Sequence, residues 1–372
     1  MADGFEIFLV TPPGLEAELV DEARAAGFAV TGTDPGGVTL TGGWPEVWRA
    51  NLELRGAGRV LARIGAFRAL HLAQLDKRAR RFPWGQVLRP DIPVAVEATS
   101  RKSRIYHAGA ARERIARAIA EELGAPLAEP GNPDAVTVMA RLDDDLCTLS
   151  IDTSGEMLHR RGLKQAVGKA PLRETMAALM LRACGYRGAE PVLDPMCGSG
   201  TFVIEAAEIA AGLPPGRARG FAFERLAGFD PAAWAALKAR PLPSPPEGLV
   251  FHGSDRDDGA IRGAQANAER AGVAALCQFQ RRAVSDLTRP EGPPGLVMVN
   301  PPYGARIGNR KLLFGLYGAL GAVLTERFKG WRVGLVTSDD GLARATRLPF
   351  LPPGPSITHG GLKVKLWRTD PL

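Results

Sequence analysis

Residues 192–207 read VLDPMCGSGTFVIEAA, and this stretch determines which class of fold the chain can adopt. A short apolar run ends at Asp194, a glycine-containing loop follows, and a helical pattern begins near Thr201. In an open α/β sheet, ligands bind outside the carboxyl ends of the strands. Gly198 and Gly200 would let the backbone approach a ligand where a Cβ atom would clash. The stretch predicts a ligand-binding turn between a strand and a helix, and a turn without a ligand is the alternative.

The spacing of this loop excludes one common phosphate-binding motif and disfavours another. GxxxxGK[ST] is absent, which rules out a P-loop, and GxGxxG is absent, which disfavours a dinucleotide fingerprint. Ser199 and Thr201 can cap the helix that follows the loop.

A second strand, loop and helix unit follows at residues 249–273, LVFHGSDRDDGAIRGAQANAERAGV. Asp255 lies where the strand should end, and a carboxylate there can accept hydrogen bonds from two ribose hydroxyls. Asp257 is better suited to cap or lead the following helix. Arg256 can pack its side-chain stem over an adenine ring.

The composition limits the classes of protein to consider. The chain has 372 residues, which suggests two or three domains. No stretch approaches the roughly 18 apolar residues of a membrane span, and the N-terminus lacks the features of a signal peptide. The four cysteines have no CxxC spacing, which argues against structural zinc and a disulfide framework. A reducing cytoplasm is the expected compartment.

The net charge of +7 is unevenly distributed. Residues 1–54 carry −7, residues 55–117 carry +11 and residues 118–164 carry −5. A basic segment between two acidic ones gives a positive field that can hold the phosphates of a polyanion. The alternative is a set of solvated arginines. The cations of KRARR and SRKSR are the candidate contacts: Lys77, Arg78, Arg80, Arg81, Arg101, Lys102 and Arg104.

The pattern of apolar residues changes near residue 165. The first 60 residues predict a small β–α–β–α module, and a second module follows with a helix that stops at Gly124 and a hairpin that turns at residues 143–145. Later, short apolar runs alternate with helical segments, which predicts a mostly parallel sheet closed by a hairpin through Gly360 and Gly361. The aromatic-rich residues 212–248 are expected to pack on this sheet domain.

Residues 299–304 read VNPPYG and follow a third apolar run, GLVMV. Along the sequence there are now three motifs: a glycine loop, the acid expected to bind ribose (Asp255), and Asn-Pro-Pro-Tyr. Each lies at the carboxyl end of a predicted strand. This combination resembles the class I S-adenosylmethionine-dependent methyltransferases that modify exocyclic amino nitrogens. The resemblance implies a Rossmann-like α/β fold with S-adenosyl-L-methionine as the cofactor.

The resemblance also implies a role for each residue of this motif. A base amine is a poor nucleophile, and the Asn300 side-chain oxygen and the Pro301 carbonyl can each accept one of its N–H groups. Pro301 and Pro302 fix these acceptors, and Tyr303 offers a face on which the flipped base stacks. Each hydrogen bond contributes about 0.5–1.5 kcal/mol, whereas alignment of amine and sulfonium contributes roughly 7–11 kcal/mol. Positioning is therefore the larger effect and no strong general base is required; the alternative is a Pro-Pro turn with a packing tyrosine.

Further segments extend the resemblance over roughly residues 5–368. GLEAELVDEARAAGF, RVLARIGAF, IYHAGAARERIARAIAEELG, SIDTSGEMLHRRGLK and KAPLRETMAALML are similar to the N-terminal half of bacterial large-subunit rRNA guanine-N2 methyltransferases. The resemblance implies a ferredoxin-like module at 1–54, a THUMP RNA-binding domain at 55–164 and a methyltransferase domain at 165–372. A second methyltransferase, fused in some members, is expected to be absent because the sequence ends at Leu372.

One departure from the family concerns the adenine of the cofactor. Members usually have an Asp in the loop after the third strand, whereas FQRRAVSDL has Ala283 there, so Ser285 or Asp286 could substitute if the loop shifts. The family segment APL(R/K)E borders the cofactor site and corresponds here to Pro171, Leu172 and Arg173. The implied cofactor-binding residues are Pro171, Asp194, Pro195, Met196, Cys197, Gly198, Ser199, Gly200, Thr201, Asp255, Arg256 and Asp286. The implied catalytic residues are Asn300, Pro301, Pro302 and Tyr303.

The predicted activity is S-adenosylmethionine-dependent methylation of the N2 amine of a guanine in RNA, with 23S rRNA favoured. The alternatives are a tRNA guanine-N2 enzyme, a DNA or protein amine methyltransferase, and a non-catalytic RNA-binding protein with a relic methyltransferase domain. The basic segment favours RNA, and the intact glycine loop and Asn-Pro-Pro-Tyr argue against a relic. No membrane or metal partner is expected, and a monomer is favoured.

Overall fold

The computed structural model describes residues 4–165, 172–245, 247–303 and 310–372. The chain divides into two compact units. Unit 1 comprises residues 1–10, 23–158 and 219–240, and unit 2 comprises residues 11–22, 159–218 and 241–372. The three domain boundaries inferred from the sequence stay a prediction.

Each unit contains one seven-stranded sheet. The strands of unit 1 are β1 (Phe5–Val10), β2 (Ala29–Asp34), β3 (Gly37–Gly42), β4 (Arg59–Arg68), β5 (Val94–Arg101), β6 (Val136–Asp143) and β7 (Leu146–Asp152). Those of unit 2 are β8 (Val192–Asp194), β9 (Phe251–Asp255), β10 (Cys277–Arg281), β11 (Leu296–Val299), β12 (Arg332–Thr337), β13 (Ile357–His359) and β14 (Leu362–Arg368). The α-helices are α1 (Glu16–Ala25), α2 (Trp44–Glu53), α3 (Leu72–Arg80), α4 (Ala108–Leu123), α5 (Glu174–Ala183), α6 (Thr201–Ala210), α7 (Pro231–Lys238), α8 (Asp258–Ala271), α9 (Arg310–Arg327) and α10 (Asp340–Ala345).

The sheet of unit 1 has the strand order β2-β3-β1-β4-β7-β6-β5. Its neighbours are antiparallel except β5 and β6, which run parallel. Alternate side chains of β6 are buried, as expected for a strand with one face on the core. Helix α4 ends at Gly124 and the β6–β7 hairpin turns after Asp143, so both sequence predictions are confirmed.

Residues 219–240 belong to unit 1, so the expectation that all of 212–248 packs on the methyltransferase sheet is wrong. The backbone N–H of Phe223 donates to the carbonyl of Thr153 at 3.0 Å. The Phe223 ring stacks on Trp48 with a centroid separation of 6.1 Å and meets Trp234 edge-on at 5.1 Å. The segment therefore packs where its aromatic rings are buried, in unit 1, although it lies between two parts of unit 2 in the sequence.

The sheet of unit 2 has the strand order β10-β9-β8-β11-β12-β14-β13. The first five strands are parallel, and β14 runs antiparallel to both β12 and β13. This is the Rossmann-like methyltransferase arrangement, and the predicted fold class is confirmed. The order of the strands reverses between β8 and β11, which opens a crevice at their carboxyl ends.

A hydrophobic core lies beside this crevice. Its large members include Tyr317, Phe328 and Trp331, none of which is exposed to solvent. Met196 and Tyr303 pack against the same core from the loops after β8 and β11. Close packing restrains both loops, because interiors tolerate few voids and few alternative rotamers.

Candidate active site

The three sequence motifs lie at neighbouring strand ends. Strand β8 pairs with β9 on one side and with β11 on the other. It ends at Asp194, β9 ends at Asp255 and β11 ends one residue before Asn300. The glycine loop, the ribose acid and Asn-Pro-Pro-Tyr are therefore adjacent at the crevice.

Backbone hydrogen bonds hold the glycine loop against the end of β9. The Cys197 N–H donates to the carbonyl of Ser254 at 2.9 Å, and the Gly200 N–H donates to the carbonyl of Cys197 at 2.8 Å. The Gly198 N–H donates to the Asp255 carboxylate at 3.1 Å. These contacts fix the loop that the sequence identified.

The two loop glycines serve different purposes. Both have positive φ, +52° at Gly198 and +82° at Gly200, which favours glycine. A Cβ atom at Gly200 would approach Ala264 Cβ and Ile204 Cδ1 at 3.1 Å, so packing within the protein restricts this position. A Cβ atom at Gly198 would meet none of the described atoms within 4 Å. Only the Gly198 side of the loop offers the open approach expected for a ligand.

The N-cap of helix α6 is Gly200, and no side chain caps it. The expectation that Ser199 and Thr201 cap this helix is therefore wrong, because the cap position is a glycine and has no side chain. The Thr201 hydroxyl instead accepts a hydrogen bond from Lys164 Nζ at 2.9 Å.

The carboxylates of Asp194 and Asp255 lie in different surroundings. Asp194 is buried, and burial raises its pKa to about 8; the hydrogen bond from the Met196 N–H opposes this rise and the charge of Asp255 adds to it. Asp255 is half-buried and accepts from the N–H groups of Gly198 and Asp257. Each carboxylate oxygen of Asp255 therefore accepts one N–H and can accept a further hydrogen bond from a hydroxyl group.

Asp257 caps helix α8 as predicted. Its carboxylate accepts from the N–H of Gly259 at 2.7 Å and of Ala260 at 3.2 Å. Arg256 is exposed, and its carbonyl accepts from Arg281 Nε at 3.3 Å. The packing of the Arg256 side chain on an adenine stays a prediction.

The loop after β10 begins beside Asp255. The Arg282 N–H donates to the Asp255 carbonyl at 2.9 Å, and Ala283 then leads into a short 3₁₀ helix that ends at Asp286. Asp286 is exposed and accepts from the Ser285 hydroxyl at 3.1 Å. Its proposed contact with the cofactor stays a prediction.

Asn300 presents an acceptor at the crevice. Its Oδ1 atom is buried and has no hydrogen-bond partner among the described residues. Buried polar atoms usually have partners, so an unpaired acceptor here indicates a site for an external donor. Pro301 is buried, and Tyr303 lies two residues further along the chain. Burial raises the pKa of the Tyr303 phenol.

Three residues that support the site were missed from the sequence. The Tyr317 hydroxyl donates a hydrogen bond to the Pro302 carbonyl at 3.3 Å. Asn267 Nδ2 donates to the Ser199 carbonyl at 3.0 Å. Lys164 joins the start of helix α6 to the carbonyl of Leu172 and to Glu174. The sequence held one signal for Asn267, because it is a polar residue on the apolar face of a predicted helix.

The remaining predicted cofactor residues are placed as follows. Pro171 lies outside the described residues. Leu172 is buried, and Arg173 is the N-cap residue of helix α5. Pro195 and Cys197 are buried in the loop, and burial raises the pKa of the Cys197 thiol. A cysteine in this state behaves as a packing residue rather than as a thiolate.

The seven candidate RNA-binding cations lie in unit 1. Lys77, Arg78 and Arg80 belong to α3, Arg81 follows it, and Arg101, Lys102 and Arg104 lie at the end of β5 and in the loop after it. All except Arg80 are exposed. Glu121, Asp76 and Glu122 hydrogen-bond Arg80 and raise its pKa, so its charge is already compensated.

The fold and the site define a Rossmann-like methyltransferase domain. The chain belongs to the family described as RMKL-like, methyltransferase domain, which matches residues 161–349, just over half of its length. Two further families match, the RlmL ferredoxin-like domain at residues 6–61 and the THUMP domain at residues 71–152. The family resemblance inferred from the motifs is confirmed.

Individual proteins resemble the chain over nearly its whole length. It is 36% identical to the ribosomal RNA large subunit methyltransferase K/L of Chromohalobacter salexigens over 92% of this chain and 49% of that protein. A possible methylase from Clostridium difficile 630 superposes with a TM-score of 0.87 at 27% identity, covering 99% of this chain and 98% of the other. SMU.472, a putative methyltransferase complexed with SAH, gives 0.86 at 26% identity, covering 100% and 99%. The chain spans about half the length of the curated relatives it matches.

Membrane spans and metal clusters were sought in the described parts of the chain. No helix there is both long and apolar enough to cross a bilayer. No group of three or more His, Cys, Asp or Glu residues there could hold a metal ion.

Proposed function

We propose that the protein methylates the exocyclic N2 amine of a guanine in RNA, with S-adenosyl-L-methionine as methyl donor and 23S rRNA as substrate. The relatives named as large-subunit rRNA methyltransferases support the substrate class. The THUMP match supports RNA over DNA or protein. The cytoplasm is the proposed compartment.

The unpaired Oδ1 atom of Asn300 is the observation that carries this proposal. Asn300 directly follows the end of β11, at the crevice edge of the sheet. An amine with two N–H groups can donate one to Asn300 and the other to the Pro301 carbonyl. Tyr317 supports this geometry because its hydroxyl bonds the next carbonyl, that of Pro302.

The residues around the crevice fit S-adenosyl-L-methionine. The open side of Gly198 accommodates a ligand close to the backbone, and the outer side of Asp255 can accept the ribose hydroxyls. When bound, the cofactor supplies an electrophilic methyl group. The role of Asn300 and Pro301 is to orient the amine, and that of Tyr303 is to stack on the base and exclude water.

The reaction can be tested with deuterium-labelled cofactor. The purified protein is incubated with rRNA and tRNA prepared separately from a strain that lacks the gene, and the nucleosides are analysed by mass spectrometry. Labelled N2-methylguanosine from large-subunit rRNA is the expected product. The same product from tRNA alone would favour the tRNA enzyme, and labelled N6-methyladenosine would overturn the choice of base. Cofactor binding without transfer to either RNA would favour a relic domain.

Asn300→Ala gives the sharpest test of the site. We expect the turnover to fall by at least about 100-fold while the dissociation constant of the cofactor changes by less than about threefold, because Asn300 contacts the amine and not the cofactor. Single-turnover methyl transfer and calorimetry measure the two quantities. Normal turnover of this variant would exclude the proposed role of Asn300.

A further inference from the structure

Exposed apolar side chains gather at one end of the sheet of unit 1. Among the described residues of that unit, four large hydrophobic side chains are exposed. Three of them, Leu70, Tyr106 and Leu146, lie where β4 and β5 end and β7 begins. Tyr106 is 84% exposed, an unusual state for a large aromatic side chain in a folded domain.

Hydrogen bonds join the loops at this end into one surface. The Ala69 N–H donates to the Asp145 carbonyl at 2.9 Å, and the Asp144 N–H donates to the Arg101 carbonyl at 3.3 Å. The Arg104 N–H donates to the Asp145 carboxylate at 2.7 Å. The β4–α3 junction, the β5–α4 loop and the β6–β7 turn therefore hold one another in place.

The backbone on both sides of Tyr106 is fixed. Ile105 is buried and its carbonyl accepts from the Ser100 hydroxyl at 2.5 Å. His107 is the N-cap of helix α4 and accepts from the Ala110 N–H at 3.2 Å. An aromatic ring on a fixed backbone loses little conformational entropy when it binds a partner, which favours a recognition role.

Cations lie at the same end of the sheet as Tyr106. Arg68, Arg101 and Lys102 are exposed at the same end, and Lys102 has a φ of +48°, which is uncommon for a residue with a side chain. Three acids lie in the β6–β7 turn beside them, Asp143, Asp144 and Asp145, and Asp144 is exposed. Asp145 accepts from the Arg104 backbone, and Asp143 forms an ion pair with Arg141. The end of the sheet thus combines positive charge with an accessible aromatic face.

We propose that this sheet-end surface, formed by Arg68, Leu70, Arg101, Lys102, Tyr106 and Leu146, binds an unpaired segment of RNA. The Tyr106 ring stacks on one base, the two leucines cover its edge, and the cations contact the flanking phosphates. Bases present their faces only where they are unpaired, so the partner is a single-stranded loop or end rather than a continuous duplex. The inference rests on the proposed RNA substrate and adds the element of RNA that unit 1 recognises.

The test compares Tyr106→Ala and Tyr106→Phe in the full chain. The probes are a fluorescent single-stranded RNA 12-mer of mixed sequence and the same strand annealed to its complement. Tyr106→Ala should weaken binding of the single strand by roughly 10-fold or more, and Tyr106→Phe should retain it within about twofold, because stacking needs the ring but not the hydroxyl. The affinity for the duplex should change by less than about twofold.

Leu127→Ala is the matched control, since Leu127 is 50% exposed in the same unit but lies away from this end of the sheet. It should bind both RNAs as the parent does. Unchanged binding of the single strand by Tyr106→Ala would overturn the proposal and leave the apolar side chains to a protein partner. Equal loss of single-strand and duplex binding would also overturn it, because stacking would then not be the cause.

The result is independent of methyl transfer. A selective effect of Tyr106→Ala in a protein that yields no N2-methylguanosine would keep this inference and reject the proposed reaction. The reverse pattern would reject only the inference.

Discussion

At the scale of single residues, Asp194 and Asp255 show how position at the crevice sets the behaviour of a carboxyl group. Both end parallel strands that are neighbours in the sheet. Burial raises the pKa of Asp194 to about 8, whereas Asp255 is half-buried and is held by two backbone N–H groups. Asp194 therefore shapes the loop, and Asp255 is the residue suited to bind hydroxyl groups.

The raised pKa of Asp194 predicts a pH-dependent stability. An unfolded Asp titrates near 3.9, so between about pH 4 and pH 8 the folded protein retains a proton that the unfolded chain releases. The contribution of this residue to stability therefore falls as the pH rises through that range and stays low above it. Asp194→Asn removes the effect, so its stability relative to the parent should increase with pH, by roughly 4 kcal/mol between pH 5 and pH 8.

Urea unfolding of both proteins without cofactor, at several values between pH 5 and pH 9, measures this difference. Titrating groups that do not interact with Asp194 are common to the two proteins and cancel. Parallel stability profiles would show that Asp194 is ionised in the folded state throughout.

Asp255→Ala should weaken cofactor binding more than any neighbouring substitution. The loss of charge-assisted hydrogen bonds to the ribose costs about 1–3 kcal/mol, or roughly 5- to 150-fold in the dissociation constant. Asp257→Ala is the control, since Asp257 only caps helix α8; it should lower stability by about 1 kcal/mol with little effect on binding. Calorimetry and urea unfolding separate the two effects. Unchanged cofactor affinity of Asp255→Ala would assign the ribose to another residue.

At the scale of elements, helix α8 holds the glycine loop through a side-chain hydrogen bond. Asn267 is buried on this helix and donates to the Ser199 carbonyl at 3.0 Å. Its Oδ1 atom accepts from the Gln165 N–H at 3.2 Å. One side chain therefore ties the loop, the helix and the segment that precedes residue 166. Removal of a partner from a buried hydrogen bond leaves the other group unsatisfied, at a cost of about 1–3 kcal/mol.

We expect Asn267→Ala to weaken cofactor binding by roughly 10-fold, because the glycine loop loses one of its fixed points. The rate of methyl transfer at saturating cofactor and RNA should change by less than about threefold, since the acceptors at Asn300 and Pro301 stay in place. Gln265→Ala, an exposed change on the same helix, is the control and should alter neither quantity. A fall in stability with normal cofactor affinity would limit Asn267 to a structural role.

The sequence predicted elements well where local chemistry determines them. The Asp257 cap, the end of α4 at Gly124 and the hairpin through Gly360 and Gly361 depend on neighbouring residues alone, and all three are confirmed. The packing of residues 219–240 depends on partners more than 60 residues away along the chain and was predicted wrongly. Tyr317 and Asn267 were missed because their hydrogen bonds join separate elements, which the periodicity of one segment cannot relate.

At the scale of the whole molecule, charge and chemistry are divided between the two units. Residues 55–117 carry a net charge of +11, and residues 165–372, which contain the crevice, carry +8. Net charge alone therefore cannot identify the RNA-binding face. The exposed members of the seven candidate RNA-binding cations form two groups, one at the end of α3 and one at the end of β5 and in the loop after it.

Two triple variants distinguish these groups. The first changes the loop to Arg101→Gln, Lys102→Gln and Arg104→Gln, and the second changes the α3 end to Lys77→Gln, Arg78→Gln and Arg81→Gln. Arg80 is left unchanged in both because three carboxylates already surround it. Binding of rRNA is measured at several salt concentrations for each variant and for the parent, and the cofactor is titrated as a control.

The loop variant should weaken RNA binding and flatten its salt dependence. Each lost phosphate contact reduces the slope of log K against log salt by somewhat under one unit, so three contacts would reduce it by about two to three units. The α3 variant should change the slope by a smaller amount, since the exposed apolar side chains that accompany a base-stacking surface lie at the loop end of the sheet. Cofactor affinity should not change in either variant, because the glycine loop belongs to unit 2. Identical slopes for the loop variant and the parent would show that Arg101, Lys102 and Arg104 only face solvent, and a larger effect of the α3 variant would place the phosphate contacts on that helix.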